Sequence, residues 1–239
     1  MSNKSCWVTV VMYAIAMAWV ETAVVVYLRT MIDRIVPYQI DPLPESFGLA
    51  PIELVREVAT LVMLLTVGWL AGRTWRSRLA YALIAFGVWD IFYYVFLVPT
   101  SGWPQSLLDW DILFLLPLPW WGPVIAPMMI SMLMIVGGTL VTQIDESHAP
   151  FAPRRWSIAI GMLGALVALY VFMADAIRVA NQGISVLRVT LPTTFNWYLF
   201  IVGFAMMCAP IVDLGWRLSA RVIGEKRLRR RDAGGAESY

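Results

Sequence analysis

Six separate stretches of about 20 mostly apolar residues, at 6–28, 51–71, 79–99, 119–141, 156–176 and 195–216, dominate this chain. A helix that long, rising about 1.5 Å per residue, covers the roughly 30 Å hydrocarbon layer of a bilayer. Inside that layer a backbone satisfies its own N–H and C=O groups only as helices or as a closed barrel, and continuously apolar runs select helices. The expected fold is an all-α integral membrane protein, a six-helix transmembrane bundle. Composition agrees, because 60% of the 239 residues are hydrophobic and 14% are charged, against about a quarter charged in soluble domains. The first stretch runs straight into Tyr27-Leu28-Arg29 with no small-x-small cleavage pattern, so it reads as a retained helix and not as a secretory signal.

An even number of spans puts both termini on one side. Of the 18 basic residues, 13 fall on the side of the termini, while Arg29, Arg34, Arg178 and Arg188 fall on the other and Arg56 lies within the second span. The positive-inside rule then places both termini in the cytoplasm, and the compact size with its inner arginine bias favours a bacterial inner membrane. Residues 217–239 read as a basic cytoplasmic tail that starts as an extension of the sixth helix and ends disordered. Its arginines suit anionic lipid headgroups, and without aromatic interleaving they do not suggest a nucleic-acid partner. Trp103, Trp110, Trp120 and Trp121 sit where interfacial aromatic belts form.

Between the third and fourth spans, 107–119 is apolar but too short to cross, and Asp109 and Asp111 interrupt it. It is expected to be a short re-entrant or interfacial outer segment that folds back over the helix ends. Pro37, Pro42 and Pro44 make the first outer connection irregular, and 184–191 alternates like a short strand. Gly161 with Ala165, and Gly164 with Ala168, place small residues four apart and predict close helix packing. The triplet Trp89-Asp90-Ile91 recurs as Trp110-Asp111-Ile112, but two matches in a Trp-rich chain do not establish a duplication.

Residue types that are scarce narrow the chemistry. His148 is the single histidine, in an inner loop beside Asp145 and Glu146, which gives no support to a haem, copper, di-iron or histidine-ligated zinc site. Lys4 and Lys226 are the only lysines and lie outside the spans, so a buried Schiff base or a Ser-Lys protease has no lysine to use. Cys6 and Cys208 have no closely spaced partner for disulfide exchange. No phosphate-binding glycine loop or dinucleotide fingerprint is present. No cofactor and no metal is expected.

Buried carboxylates are the positive signal. Charge in the hydrocarbon layer costs about 2.5 kcal/mol or more per group unless it is paired or hydrated. Glu21, Arg56, Glu57 and Asp90 lie within spans, all in the outer half or near midplane under the assigned topology, and Asp109 and Asp111 are expected to join them from the third connection. Glu53 and Glu57 share a helix face with Thr60, and Arg56 stands three residues beyond Glu53, within pairing reach. Asp90 shares a face with Phe86, Tyr93 and Tyr94, whose phenol groups are expected to bond its carboxyl. Glu21 has only Ala14, Met17, Ala18, Val24, Val25 and Leu28 around it, so its partner must come from another helix, and Arg56 is the obvious one. An ion-pair network accounts for Glu53 and Arg56. It leaves Glu21, Glu57 and Asp90 as three acids against one buried base, and the excess must be protonated, hydrated or bound to a cation.

Three function classes fit these residues. The first is transporter-like: an outward-facing carboxylate cluster of Glu21, Arg56, Glu57, Asp90, Tyr93, Tyr94, Asp109 and Asp111 that binds or conducts a proton, a cation or a small substrate. The second is a non-catalytic subunit of a larger membrane complex or a homo-oligomer. The third, ranked last, is a carboxylate-dependent enzyme acting on a lipophilic substrate.

Overall fold

A computed structural model describes residues 3–40, 50–143, 153–183, 186 and 191–235 of the chain. Its elements are α1 (Asn3–Met31), α2 (Ala50–Ala71), α3 (Trp75–Ser101), strands β1 (Trp110–Phe114) and β2 (Trp120–Pro123), α4 (Ile125–Gln143), α5 (Arg155–Val179) closing in a 3-10 turn (Ala180–Gln182), and α6 (Trp197–Gly235). Six of these helices are long and apolar enough to cross a membrane. Large apolar side chains such as Met12, Val55, Leu70 and Tyr198 point outward with more than half their surface uncovered, the arrangement expected when the surrounding medium is itself apolar.

The chain packs as a four-helix group centred on α3, which touches α1, α2 and α4, and a pair made by α5 and α6. In the first group Val10, Ala14, Met17 and Ala18 of α1 meet Tyr81, Ile84, Ala85 and Val88 of α3, with Leu64 of α2 beside them. Small residues on α1 let the larger α3 side chains seat between turns. In the second, Gly164 of α5 lies so close to α6 that a Cβ there would stand 2.4 Å from the Gly203 carbonyl oxygen. The small-residue spacing on α5 is thus used for helix contact, and Ala168 one turn later is buried in the same seam.

Local signals set the turn between α2 and α3. Thr74 caps α3 by accepting from the Ser77 backbone N–H at 3.2 Å, and the Ser77 hydroxyl oxygen accepts from the Thr74 N–H at 2.9 Å. Arg78 bonds the Gly72 carbonyl and lays its guanidinium 4.0 Å from the centre of the Trp69 ring. At its other end α3 closes on Gly102, whose φ of 72° is the left-handed conformation open to glycine, and whose N–H bonds the Val98 carbonyl.

The all-α expectation fails at one place. Trp110–Phe114 and Trp120–Pro123 form an antiparallel hairpin, pairing Asp111 with Gly122 and Ile112 with Trp121, with an irregularity between Ile112 and Phe114. The physical reason is composition: aromatic and branched residues favour a pleated strand, and Pro117 and Pro119 force the chain to turn between them. The same hairpin moves the start of the fourth helix from 119 to Ile125. The loop before β1 also receives that helix's first free donors, the N–H groups of Val124 and Ile125, on the Asp109 and Leu107 carbonyls. The strand-like alternation read at 184–191 lies largely outside the described residues, as do Pro42, Pro44, Asp145, Glu146 and His148.

Candidate functional site

Three helices and one strand place ionisable groups around one cavity. Along α1, Glu21, Val25, Leu28 and Arg29 recur at helical spacing and, with Ile32 just beyond its end, form one wall. Glu53, Arg56, Glu57 and Thr60 of α2 form the second, and Trp89, Asp90, Tyr93 and Tyr94 of α3 the third. Strand β1 and the residue after it, Asp111 to Leu115, close the space. About 110 Å3 is open to the centres of water-sized molecules.

Arg56 stands between two carboxylates. It pairs with Glu21 across the helices and with Glu53 on its own helix, at 2.7 Å from Nη2 and 2.8 Å from Nε to the same Oε2. The second oxygen of Glu21 accepts from the Thr60 hydroxyl at 3.2 Å. The expected pairing of Glu21, Glu53 and Arg56 is therefore what the structure has.

Asp111 has a second, separate network. Its Oδ1 accepts from Arg29 Nη2 at 3.0 Å and its Oδ2 from the Tyr94 hydroxyl at 3.1 Å, in a position that is 1% exposed. Burial pushes the Asp111 carboxyl above the usual carboxylate range, against the opposing pull of Arg29 and Tyr94. The Arg29 guanidinium also lies 4.7 Å from the centre of the Trp103 ring, a cation–π contact that eases its burial. Among the described residues its Nη1, which is buried, has no hydrogen-bond partner, and neither has the buried Trp89 indole N–H.

Glu57 and Asp90 differ from the other acids. Both oxygens of Glu57 stand 3.1 Å from the Leu115 backbone N–H at the end of β1. Asp90 accepts from the Ser131 hydroxyl of α4 at 2.8 Å. Each is buried, 7% and 8% exposed, and among the described residues neither has a salt bridge. The cavity wall carries five carboxylates and three guanidiniums, counting Arg34, which bonds Gln39 and the Ile40 carbonyl at its edge. Its formal balance is −2.

Two sequence expectations need correction. Asp109 does not join the cluster: it accepts from the Gln105 and Ser106 backbone N–H groups at 2.8 and 3.1 Å and caps its own turn. Asp90 is not bonded by the phenols on its face, because Tyr94 turns to Asp111 and Ser131 takes its place. Tyr93 does line the cavity, with its ring stacked on Trp89 at 6.4 Å. Sequence reasoning assigned Arg29 to an outer connection and missed it as a site residue. The signal was present, since Arg29 falls eight residues after Glu21, two helical turns along the same face. Ser131 had no comparable signal, because nothing in the sequence says which α4 residue faces Asp90.

Two pairs outside the cavity serve helix ends. Arg178 bonds Asp175 at 2.9 Å, and Asp213 of α6 reaches Arg217 at 3.3 Å and the Arg154 backbone N–H at 2.7 Å, tying α6 to the start of α5. Comparison with protein-family models, with curated proteins and with solved structures finds no match to this chain.

Proposed function

We propose that this is a multi-pass membrane protein, with both termini cytoplasmic, whose outward-facing cavity binds or conducts a proton, a cation or a small substrate. The observation that carries the reading is that Glu57 and Asp90 line the cavity, buried, with neutral hydrogen-bond donors and no salt bridge among the described residues. A carboxylate kept only for stability is normally given a cationic partner in a low-dielectric site, as Asp111 and Glu53 are here. A carboxylate left with a neutral donor is free to take up a proton or meet a cation that arrives from outside. The bacterial inner membrane remains the location that the basic-residue distribution favours.

The test is flux in proteoliposomes under an imposed membrane potential, with an internal pH dye and a monovalent-cation dye read in parallel. The expected result is flux in the unaltered protein and at least a tenfold loss in both Glu57→Gln and Asp90→Asn, with folding and insertion retained, because an amide keeps the shape and cannot ionise. Full flux in both amide variants, or neither flux nor binding of any cation or small solute in the unaltered protein, would refute the reading.

A further inference from the structure

We infer that the turn between α2 and α3 is a docking site for the phosphate of an anionic phospholipid in the adjoining leaflet. The inference rests on the reading that the helices span a membrane, and it is independent of what the cavity carries. It starts from where basic side chains are left unused. At the end of the molecule that holds the cavity, Arg29 is taken by Asp111, Arg34 by Gln39 and the Ile40 carbonyl, and Arg178 by Asp175. At the opposite end Lys4, Arg73, Arg76 and Arg155 are exposed, and among the described residues their side chains have no ion pair or hydrogen bond. Free cations gathered at one end are matched by a surface that brings the negative charge from outside, as an anionic leaflet does.

Within that set the α2–α3 turn is the part whose backbone is fixed. Gly72 leaves no room for a side chain, because a Cβ there would stand 2.3 Å from the Arg78 backbone nitrogen. Arg78 spends its donors and its charge inside the turn, on the Gly72 carbonyl and the Trp69 ring, while the Thr74 and Ser77 hydroxyls accept from each other's backbone N–H groups. Arg73 and Arg76 ride on this frame with their guanidiniums unengaged. They flank Trp75, which is 69% exposed and meets the half-exposed Trp69 edge to face at 5.7 Å. Exposed indoles at the end of a spanning helix sit at headgroup level, so the arginines beside them lie at the depth of the phosphates. A guanidinium binds phosphate through two parallel N–H bonds, which an ammonium does not reproduce. A headgroup of net negative charge is selected, because the ammonium of a zwitterionic one is repelled by the same two arginines. Arg155 stands beside the exposed Trp156 without a second free arginine, since Arg154 is drawn toward Asp213.

The experiment places the full chain in nanodiscs made of equal parts phosphatidylglycerol and phosphatidylcholine with the same acyl chains, and counts the lipids it retains by native mass spectrometry. Each basic residue near an anionic surface strengthens attraction about fivefold, so two acting together should give phosphatidylglycerol an excess of about tenfold or more. Arg73→Gln with Arg76→Gln should reduce that excess to about twofold or less. Lys4→Gln with Arg155→Gln removes the same charge from the same end and should leave at least half of the excess. Equal retention of the two lipids overturns the inference. Equal losses in the two double variants overturn it too, since the attraction then belongs to the whole end of the molecule and not to this turn. Inorganic phosphate that raises the melting temperature in pure phosphatidylcholine discs as far as phosphatidylglycerol does overturns it as well, because the ligand is then free phosphate. A chain that inserts into neither bilayer removes the membrane reading together with this one, whereas insertion without lipid preference removes this inference and leaves the proposed function standing.

Discussion

Replacing Arg56 tests how the ion network divides its work. Arg56 pairs with Glu21 and, through two nitrogens, with Glu53, so Arg56→Met strands two buried carboxylates at once. Breaking a buried pair by removing one partner costs about 3–5 kcal/mol. Because the arginine side chain is 22% exposed, solvent discounts that figure, and a loss of about 3 kcal/mol is expected. Glu21→Gln should cost far less, about 1 kcal/mol, because Arg56 keeps Glu53 and the amide oxygen still accepts from Thr60. The double variant Glu21→Gln with Arg56→Met should not recover fully, since Glu53 remains buried and unpaired. The triple variant adding Glu53→Gln should recover to within about 1 kcal/mol of the parent, as neutral replacements of buried ionic groups generally do. Equilibrium unfolding in mixed micelles, followed by the fluorescence of the 12 tryptophans, measures each step. If Glu21→Gln costs as much as Arg56→Met, or the double variant recovers as fully as the triple, the shared-guanidinium account is wrong. Flux in the triple variant then separates roles: restored stability without flux assigns these carboxylates to function as well.

The closing hairpin gives a second case, in which Asp111→Ala should destabilise by about 3–5 kcal/mol by stranding Arg29, while Asp111→Leu with Arg29→Met should recover most of the loss in the same unfolding assay. Between α5 and α6, Gly164→Ala should cost about 1–3 kcal/mol because the new methyl meets the Gly203 carbonyl, whereas Gly215→Ala, with nothing within 4 Å, should be neutral or slightly stabilising. Topology is checked by cysteine labelling at Gln105 and Pro119 in a background without Cys6 and Cys208, where both sites should react from the outer side; reporter fusions at both termini should give the cytoplasmic signal.

The helices were legible because length and hydropathy are properties of single segments. Each long apolar run became a helix, and disagreement is confined to ends: 119–124 went to the hairpin, and α6 starts at Trp197 and continues to Gly235. The hairpin was missed because its segment was judged by its length and its two charges and not by its pairing pattern. Its run of aromatic and branched residues, Trp110, Ile112 and Phe114, with prolines after it, carried the β signal. The site was legible where partners share a helix, as Glu53 and Arg56 do, or where elimination left one candidate, as for Glu21. It was not legible where the partner is a backbone N–H, as Leu115 is for Glu57, since that requires knowing the position of the strand.

Asp90 and Asp111 show how packing assigns different fates to the same local sequence. Both sit in Trp-Asp-Ile triplets, both are buried, and both line one cavity. Asp111 is carried on a strand that docks against the outer end of α1, where Arg29 supplies a full positive charge. Asp90 lies one turn beyond Gly87, and at Gly87 α3 and α4 approach so closely that a Cβ would stand 2.5 Å from the Ser131 carbonyl oxygen. That contact brings the Ser131 hydroxyl to Asp90 and fills the neighbouring space with helix, so the carboxyl gains a donor that orients it without neutralising it. A guanidinium in the same place would lock Asp90 as Asp111 is locked. Substituting Gly87 should push α3 away from α4 and withdraw Ser131, so the neutral hydrogen bond to Asp90 on which the proposed function rests depends on one missing side chain of the same helix.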